Sequence, residues 1–582
     1  MRKTKIVCTI GPASDDPEIL KALMLAGMNV ARLNFSHGDH AEQRARVQRI
    51  RDAREELGLP VALLLDTKGP EVRTQSFLEG RATLVPGETV VIVSEEVLGT
   101  AERFSVTYSD LHKDLVPGNH ILIDDGLIQL KVSEIVGDEV HAVVETGGEV
   151  SNHKSINLPE VELHLPALTE KDIEDLRFAA EEDFDFVAAS FVRKASDVLE
   201  LRKVLEDVGG QGIRLIAKIE NREGVENFET ITQIADGIMV ARGDLGVEIP
   251  EHEVPSVQKK LIRACYKMGK PCITATQMLD SMIRNPRPTR AEVSDVANAV
   301  IDGTSAIMLS GETAIGKYPL QAVQMMDKIA VYTEAEFDYW GSFRAEDYDG
   351  STIHTAADAV SHACCMTAMD LEAKAIVTVT HSGRTARMVS KYRPASPILA
   401  FTVTERSRRQ LALSWGVEPY MIEEYTNTDE LFDRAGERAL EEGRVEIGDI
   451  IVVSGGTPVG ISGTTNTLKV QNVGEMLCRG QTVFKGPPMS FSGEALVLSK
   501  EHPEIPDYAS DFILVTESTK HEDLPLIRRA KGLIVEDENP NGHAVTAALA
   551  LGIPIIYGAK MATRLIKADQ QIVIDLDTGI IR

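Results

Sequence analysis

The stretch Arg214-Leu215-Ile216-Ala217-Lys218-Ile219-Glu220 decides the fold, because a short apolar run ends on charged residues and a helical pattern follows it. The same unit returns at Gly237–Ala241, which Arg242-Gly243-Asp244 follow. Short β-branched runs that alternate with longer stretches of helical spacing predict alternating strands and helices. Eight such strands are predicted, at Lys5–Ile10, Asn29–Asn34, Val61–Asp66, Phe186–Phe191, Arg214–Glu220, Gly237–Ala241, Pro271–Thr276 and Ser305–Ser310. Eight strand–helix units favour an α/β fold with a closed (β/α)8 barrel over an open sheet.

The third unit of this barrel is interrupted. Residues 70–166 place Pro-Gly and Asp-Asp-Gly turns between alternating apolar residues, which predicts a small inserted β domain. The barrel domain is therefore predicted at 1–69 and 167–345, a doubly wound α/β domain at 346–475, and an extra C-terminal α/β domain at 476–582. The strands predicted in the last two domains are Ala375–Thr380, Pro397–Val403, Glu418–Ile422, Asp449–Ser454, Ala495–Leu498, Phe512–Thr516, Gly532–Glu536, Ile553–Tyr557 and Gln571–Asp575.

Composition narrows the class of protein. The 582 residues include 61 Lys and Arg against 89 Asp and Glu, a net charge of −28. So acidic a chain is a poor partner for nucleic acid or an anionic membrane, since both bind cationic surfaces. The longest apolar stretch, Ala544–Ala559, is too short to span a bilayer, and no signal peptide is evident. Six cysteines without a CxxC pair predict reduced thiols and a cytoplasmic protein.

Polar residues gather at the ends of the predicted strands, where a (β/α)8 barrel carries its chemistry. One polar residue at a strand end is usually a cap, but seven such ends predict an active site. These residues are Arg32 and Asn34, Asp66 and Thr67, Ser190, Lys218 and Glu220, Arg242 and Asp244, Thr276 and Gln277, and Ser310 and Glu312.

Lys218 and Glu220 lie two residues apart, hence on one side of a strand. A structural salt bridge would explain the pair. The alternative is a site in which Glu220 and Asp244 bind a metal and Lys218 neutralises an oxyanion. Two carboxylates completed by water and substrate oxygens suit Mg²⁺.

A second oxygen-rich group carries a single formal charge. It consists of Asn34, Ser36, Asp66 and Thr67, and either a monovalent cation or ordinary loop capping would explain it. Arg32, Arg73 and Lys154 supply cations for phosphates. The segment His381-Ser382-Gly383-Arg384-Thr385 follows a strand and opens a helix, so it is either a phosphate-binding turn or a plain N-cap.

Several long motifs in order give the chain a resemblance to the pyruvate kinase family over residues 1–474. They are TKIVCTIGP at 4–12, ARLNFSHG at 31–38, LDTKGPEVRT at 65–74, AKIEN at 217–221, MVARGDLG at 239–246, ATQML at 275–279 and LSGET at 309–313. The segment after Gly480 is similar to the extra C-terminal domain of some bacterial pyruvate kinases. That domain in turn resembles the phosphohistidine domain of enzymes that make or use phosphoenolpyruvate.

The resemblance implies phosphoryl transfer from phosphoenolpyruvate to ADP, giving pyruvate and ATP. It implies that Arg32 binds the phosphate of phosphoenolpyruvate and that Lys218 stabilises the phosphoryl group in flight. Glu220 and Asp244 would hold Mg²⁺, while the backbone of Gly243 and Asp244 with Thr276 would receive the carboxylate. The residues implied for K⁺ are Asn34, Ser36, Asp66 and Thr67, and those implied for the nucleotide are Asn34, Phe35, Ser36, His37, Arg73 and Lys154.

The resemblance further implies a homotetramer and a phosphorylated small-molecule effector at Ser382, Gly383, Arg384 and Thr385. His543 keeps the position of the phosphoaccepting histidine, but Asn541 and Gly542 replace the two hydroxyl residues before it. We therefore expect His543 not to be phosphorylated. Two rival functions are an aldolase-type barrel with Lys218 as a Schiff-base amine, and a non-catalytic metabolite sensor.

Overall fold

The computed structural model describes residues 2–339, 341–343, 355–424, 427–456, 465–474, 476–483, 490–498 and 512–582. By its internal contacts the chain divides into two units. One comprises Met1–Cys365, Thr378–Glu424 and Ser454–Thr467, and the other Met366–Val377, Tyr425–Val453 and Leu468–Arg582. The domain limits drawn from the sequence stay predictions, and position 345, position 475 and part of the Gly480–Gly493 link lie outside the described residues.

Eight parallel strands close the predicted barrel. Numbered along the whole chain, they are β1 Lys5–Thr9, β2 Val30–Asn34, β3 Ala62–Asp66, β13 Phe186–Ala189, β14 Arg214–Ile219, β15 Gly237–Ala241, β16 Cys272–Ala275 and β17 Ala306–Leu309. Their order is β1-β17-β16-β15-β14-β13-β3-β2. All eight predicted strands are confirmed. Five of them end one or two residues earlier than predicted, and in two of these Phe191 (φ 54°) and Thr276 (φ 65°) take left-handed backbone that leaves the ladder.

Helices follow the strands and bury their apolar faces against the barrel. They are α1 Pro17–Leu25, α2 His40–Leu57, α4 Glu170–Glu181, α5 Ala195–Asp207, α6 Arg222–Glu226, α7 Phe228–Ile234, α8 Arg242–Glu248, α9 Val254–Met268, α10 Arg290–Ile301, α11 Gly311–Ala314 and α12 Pro319–Ala335. Capping boxes begin α4 at Thr169 and α10 at Thr289. Each box satisfies backbone N–H groups that a helix start leaves unpaired, so sequence fixes where these helices begin.

The inserted segment is a β domain, as predicted. It contains β4 Val72–Arg73, β5 Arg81–Leu84, β6 Thr89–Val93, β7 Arg103–Ser105, α3 Leu111–Asp114, β8 His120–Ile123, β9 Ile128–Val136, β10 Glu139–Thr146, β11 Gly148–Ser151 and β12 Ser155–Asn157. Seven strands form one sheet in the order β4-β12-β8-β9-β10-β6-β7, and β11 pairs with β5. One side of β10 is buried and the other is not, which is the alternation the sequence shows.

A five-stranded sheet comes next in the chain, in the order β20-β19-β18-β21-β22. Its strands and neighbouring helices are α13 Ala356–Asp370, β18 Ala375–Val379, α14 Arg384–Lys391, β19 Ile398–Thr402, α15 Glu405–Leu411, β20 Val417–Met421, α16 Thr428–Glu441, β21 Ile450–Gly456 and β22 Thr465–Asn472. Strands β19 and β20 pair in parallel, as a doubly wound α/β sheet requires.

The C-terminal residues form an eight-stranded sheet in the order β23-β30-β29-β25-β26-β27-β28-β24. The elements are β23 Cys478–Arg479, β24 Gln481–Thr482, β25 Ser490–Leu498, β26 Phe512–Thr516, α17 Leu524–Ile527, β27 Gly532–Val535, α18 His543–Leu551, β28 Ile555–Tyr557, α19 Ala562–Leu565, β29 Gln571–Asp575 and β30 Ile580–Ile581. In the part of the chain that the structure describes, no helix is long and apolar enough to cross a membrane.

Candidate active site at the carboxyl ends of the barrel strands

Asp66 joins two cations that come from different strands. Its Oδ2 accepts a hydrogen bond from Arg32 Nε at 2.6 Å, and its Oδ1 lies 3.1 Å from Lys218 Nζ. The second arm of Arg32 donates to Thr9 Oγ1 at 2.8 Å, at the end of β1. Although burial opposes it, the pKa of Asp66 is held below its usual value by Arg32 and Lys218. The carboxylate is therefore ionised and fixes the direction of both cations.

The Lys218 ammonium has three oxygen neighbours at the end of β14. It donates to Ser190 Oγ at 2.7 Å, and Glu220 Oε1 lies 2.9 Å away in addition to Asp66. Burial lowers the pKa of this lysine, but Asp66 and Glu220 outweigh it and raise the pKa above its usual value. Lys218 is thus a permanent cation, the reverse of what an amine nucleophile requires.

Ser190 is held from the opposite side by the loop after β3. Its hydroxyl donates to the carbonyl of Thr67 at 2.7 Å, and its own N–H donates to Thr67 Oγ1 at 3.2 Å. Gly69 in this loop has φ 70°, and a Cβ there would lie 2.8 Å from the Cβ of Ser190. Glycine is therefore required here for both backbone conformation and space.

Glu220 provides a buried carboxylate beside Lys218. Its Oε2 accepts the N–H of Phe191 at 2.6 Å, whereas Oε1 lies 2.9 Å from the Lys218 ammonium. Burial raises the pKa of Glu220 to about 7, with Lys218 opposing and Asp244 adding to the rise. Burial likewise raises the pKa of Asp244, while Lys218 opposes it and Asp125 adds to it.

These two carboxylates fit a divalent cation. Burial raises the pKa of both carboxylates although Lys218 opposes the rise, so a further positive charge beside them would favour their ionised forms. Within the described ranges no group of three or more His, Cys, Asp and Glu side chains is arranged to hold a metal. The pair therefore suits Mg²⁺, which takes one or two carboxylates and completes its shell with water and substrate oxygens.

Thr276 lies against the start of α8. Its Oγ1 accepts the N–H of Gly243 at 2.8 Å, and it shares left-handed backbone with Gln277 at φ 65° and 53°. Arg242 holds this turn by donating to the Thr276 carbonyl at 2.7 Å and pairing with Asp295 at 2.8 Å. Strained residues of this kind mark functional sites. Arg242 thus serves the turn rather than pointing at the carboxylate pair.

The four residues of the oxygen-rich group lie at one edge of the barrel. Asn34 and Asp66 are register partners on β2 and β3, and Asn34 Oδ1 accepts the N–H of Ser36 at 3.0 Å. Thr67 follows Asp66 and is buried. The ends of β2 and β3 therefore bring Asn34 next to Asp66, with Ser36 and Thr67 in the turns that follow.

The residues predicted to bind the nucleotide differ in their surroundings: some are paired with carboxylates, one is exposed and one is buried in the core. Arg73 Nε lies 2.6 Å from Glu71, and Lys154 Nζ lies 2.8 Å from Asp124, so both cations are already paired. His37 is exposed. The side chain of Phe35 is only 2% exposed and packs on Phe178 and Phe184, with ring centroids 5.4 and 6.3 Å apart. Phe35 thus faces the core, and its ring does not reach the site.

The predicted effector turn does open a helix. Gly383 has φ 77° at the N-cap of α14, where Arg384 is the first helical residue and is exposed. The carbonyl of Ser382 accepts from Arg214 Nη2 at 3.1 Å, and Thr385 Oγ1 lies 2.8 Å from Thr465 Oγ1. In the C-terminal sheet, His543 is the first residue of α18, and its Nδ1 lies 2.8 Å from Thr519 Oγ1.

Sequence reasoning missed two residues, Thr9, which orients Arg32, and Thr519, which contacts His543. It named Ser190 as a strand-end residue but not its hydrogen bond with Lys218. Thr9 and Ser190 lie at strand ends, and this position is the sequence feature that points to the active site. Which cation each of them contacts depends on distances across the barrel. Thr519 lies 24 residues before His543, and no sequence pattern links them.

The barrel domain, the α/β domain and the C-terminal segment of this chain are each similar to known protein families. The chain matches the families described as pyruvate kinase barrel domain over residues 1–323, pyruvate kinase alpha/beta domain over 358–471, and PEP-utilising enzyme mobile domain over 508–579. It is 48% identical to a pyruvate kinase of Sporosarcina psychrophila, covering 100% of this chain and 99% of that protein. It is 49% identical to one from Geobacillus stearothermophilus, covering 99% and 97%.

A solved structure agrees with these relatives. The crystal structure of a pyruvate kinase from Cryptosporidium parvum matches with TM-score 0.78 and 39% identity, covering 81% of this chain and 96% of that one. With the barrel and its cation–carboxylate cluster, these relatives show that the chain is a phosphotransferase. It belongs to the pyruvate kinase family.

Proposed function

We propose that the enzyme transfers the phosphoryl group of phosphoenolpyruvate to ADP with Mg²⁺ and K⁺, using the Lys218–Asp66–Arg32 cluster. The observation that carries this proposal is the pair of fixed cations on Asp66 beside two carboxylates with raised pKa. Phosphoryl transfer depends on positioning and on neutralising charge, and this cluster supplies both.

Glu220 and Asp244 would hold the divalent cation. Bound Mg²⁺ would supply positive charge to the oxygens of the substrate and of the transferring phosphoryl group. The carboxylates must be ionised for this, so the raised pKa of Glu220 ties cation binding to pH. Oε2 accepts the N–H of Phe191 and Oε1 lies 2.9 Å from the Lys218 ammonium, so a cation bound by Glu220 would share the carboxylate with these two groups.

Arg32 and Lys218 would bind the phosphoryl group. Asp66 and Thr9 hold Arg32 in one orientation. Its guanidinium would therefore bind the phosphate of phosphoenolpyruvate without losing further conformational freedom. Lys218 would neutralise charge that grows on the transferring group, and Ser190 keeps its ammonium in place. The raised pKa of Lys218 keeps that charge present throughout the reaction.

The turn that joins Gly243 and Thr276 would receive the substrate carboxylate. The N-cap residue of α8 provides no side-chain hydrogen bond to the helix start, and the N-terminus of a helix is a favourable place for an anion. Thr276 Oγ1 now accepts the N–H of Gly243, so a bound carboxylate would compete for that donor. We place the proton donor to the enolate at a water near Thr276.

K⁺ would be held by Asn34, Ser36, Asp66 and Thr67; the pairing of Asn34 with Asp66 and the Ser36 N–H on Asn34 Oδ1 support this assignment. Binding of ADP would then require Arg73 and Lys154 to exchange their carboxylate partners for nucleotide phosphates. The Asn34–His37 turn would contribute its backbone rather than the ring of Phe35.

Three further assignments rest on the family. They are a phosphorylated effector at the Ser382–Thr385 turn, a homotetrameric assembly and a cytoplasmic location. The αL backbone of Gly383 and the exposed Arg384 at the start of α14 support the first of these.

A coupled assay of pyruvate formation from phosphoenolpyruvate and ADP tests the proposal. We expect activity only when Mg²⁺ and K⁺ are both present, with tetramethylammonium replacing K⁺ in the control. Borohydride treatment in the presence of pyruvate should leave Lys218 unmodified, since a Schiff base needs a neutral amine. Turnover without any divalent cation would contradict the role given to Glu220 and Asp244.

A further inference from the structure

The turn that carries Asn34 and Ser36 is held from outside the active site. Gln43 Nε2 donates to the carbonyls of Asn34 at 3.2 Å and His37 at 3.0 Å. Lys171 Nζ donates to the carbonyl between them, that of Phe35, at 2.8 Å. Three carbonyls of this turn therefore accept hydrogen bonds from side chains outside it, two from Gln43 of α2 and one from Lys171 of α4.

Lys171 is in turn fixed by Asp175, one helical turn further along α4. The Asp175 side chain is 0% exposed, and its Oδ2 accepts from Lys171 Nζ at 2.9 Å. Its other oxygen, Oδ1, lies 2.7 Å from His40 Nε2 at the start of α2. A buried carboxylate must be paired, and here both oxygens are. Asp175 thus connects the lysine that holds the turn to the first residue of the helix that follows the turn.

Aromatic packing closes the same group. The His40 ring lies over Phe178 with centroids 4.8 Å apart, and Phe35 contacts Phe178 at 5.4 Å. The side chain of Phe35 therefore anchors the turn in the core, while its carbonyl is held by Lys171. Neither Lys171 nor Asp175 reaches the reacting atoms, so any effect on catalysis must pass through the turn.

We infer that Asp175 is a positioning residue for the monovalent-cation site, acting through Lys171 on the backbone of the Asn34–His37 turn. The inference rests on the K⁺ site proposed above. A cation gains most from oxygen ligands that are already placed before it arrives, because no ordering is then needed on binding. Without Asp175, the half-exposed Lys171 ammonium would turn to water and release the Phe35 carbonyl.

The alternative is that Asp175 only holds α2 against α4 and has no effect on the Asn34–His37 turn. The chain offers a matched control for this alternative, since Arg44 of α2 pairs with Glu182 at the end of α4 at 2.6 Å. That ion pair joins the same two helices, and in the described part of the chain no hydrogen bond or ion pair links Glu182 to residues 34–37.

The experiment compares Asp175→Asn, Lys171→Met and the control Glu182→Gln in the full-length enzyme. We measure the K⁺ concentration for half-maximal activity, kcat at saturating K⁺, and the thermal unfolding midpoint. In Lys171→Met the half-saturating K⁺ should rise by about tenfold, equal to ~1.4 kcal/mol of K⁺ binding. Asp175→Asn should raise it by at least about threefold, with kcat at saturating K⁺ changed by less than about threefold in either variant.

The double variant gives a readout that a structural role would not produce. Because Asp175 acts through Lys171, adding Asp175→Asn to Lys171→Met should raise half-saturating K⁺ no further. Lys171→Arg should recover most of the wild-type value, since its guanidinium can still reach a carbonyl and a carboxylate. Lys171 is partly exposed, so its variants test the inference even if Asp175→Asn fails to fold.

Two results would overturn the inference, and they differ. A K⁺-dependent wild type whose Lys171 and Asp175 variants match Glu182→Gln would overturn the positioning role alone. A wild type equally active in tetramethylammonium would overturn the K⁺ site and the positioning role with it.

Discussion

The ammonium of Lys218 lies 3.1 Å from the carboxylate of Asp66, although strands β14 and β3 that carry them are not neighbours in the barrel. Strand β13 runs between them, and Ser190 just after it bonds to the Lys218 ammonium at 2.7 Å. Three strand ends therefore converge on one cation. Because Asp66 also binds Arg32, a change at either cation alters the charge around the other.

Replacing Lys218 by Met should lower kcat by about a thousandfold, since one preorganised donor to transition-state charge can be worth ~4 kcal/mol. Binding of phosphoenolpyruvate should change much less, because Arg32 keeps its contacts with Asp66 and Thr9. Steady-state kinetics with Lys21→Met as the control checks this, since Lys21 lies in an exposed ion pair with Glu56. Turnover within tenfold of wild type would contradict the role of Lys218.

Glu220 should make the metal-free enzyme lose stability as pH rises. Its pKa is about 7 in the folded state and lower when unfolded, so the folded state binds more protons between those values. Stability contributed by the protonated carboxyl is therefore lost as pH rises towards 7. Thermal unfolding in EDTA should show Glu220→Gln gaining stability relative to wild type from pH 5 to pH 8.

Saturating Mg²⁺ should abolish the loss of stability with rising pH that Glu220 causes in the metal-free wild type. Mg²⁺ binds the ionised carboxylate, so its apparent affinity should rise with pH up to about 7 and level off above it. Titration calorimetry at pH 6 and pH 8 measures this change. A parallel pH dependence of stability in wild type and Glu220→Gln would show that Glu220 does not titrate in this range.

The enzyme should need K⁺, and Glu71→Lys should reduce that need. In the family that this chain resembles, Glu at this position goes with K⁺ dependence, whereas Lys supplies the charge internally. Glu71 now pairs with Arg73 at 2.6 Å, so the substitution also frees Arg73 for nucleotide phosphates. Glu71→Gln is the matched control, because it frees Arg73 without adding a cation, and it should stay K⁺-dependent.

A sugar phosphate or nucleotide should activate the enzyme through the Ser382–Thr385 turn, with a coupling of about 1–3 kcal/mol. Arg384→Ala should abolish this activation, because Arg384 is the exposed cation of the turn. The test compares activation curves with Arg438→Ala, whose arginine lies in surface ion pairs on α16. An unchanged response in Arg384→Ala to every activating phosphate compound would place the effector elsewhere.

His543 should stay unphosphorylated. A phosphohistidine is dianionic and needs several donors, yet Asn541 and Gly542 stand where related domains carry hydroxyls. Thr519 supplies one hydroxyl, but it is bound to Nδ1. Incubation with labelled phosphoenolpyruvate, with His543→Ala as background, measures this. Acid-labile label on His543 above that background would contradict the prediction.

The eight strands and the polar residues at their ends could be predicted because both depend on local pattern. Period and β-branched content set each strand, and parallel strands in a barrel bring their carboxyl ends to one edge. Arg32, Asp66, Lys218, Glu220 and Thr276 follow from that rule alone. Capping boxes at Thr169 and Thr289 likewise begin their helices through contacts three residues apart.

By itself the sequence therefore determined the barrel, its insertion and the edge that carries the chemistry. Only the tertiary structure decided which partner each group meets, since distances between strands depend on how the barrel closes. Lys218 binds Asp66 and Ser190 as well as Glu220, Phe35 turns to the core, and Asp175 reaches the turn through Lys171. These contacts join residues far apart in the chain, so the local periodicity of the sequence cannot predict them.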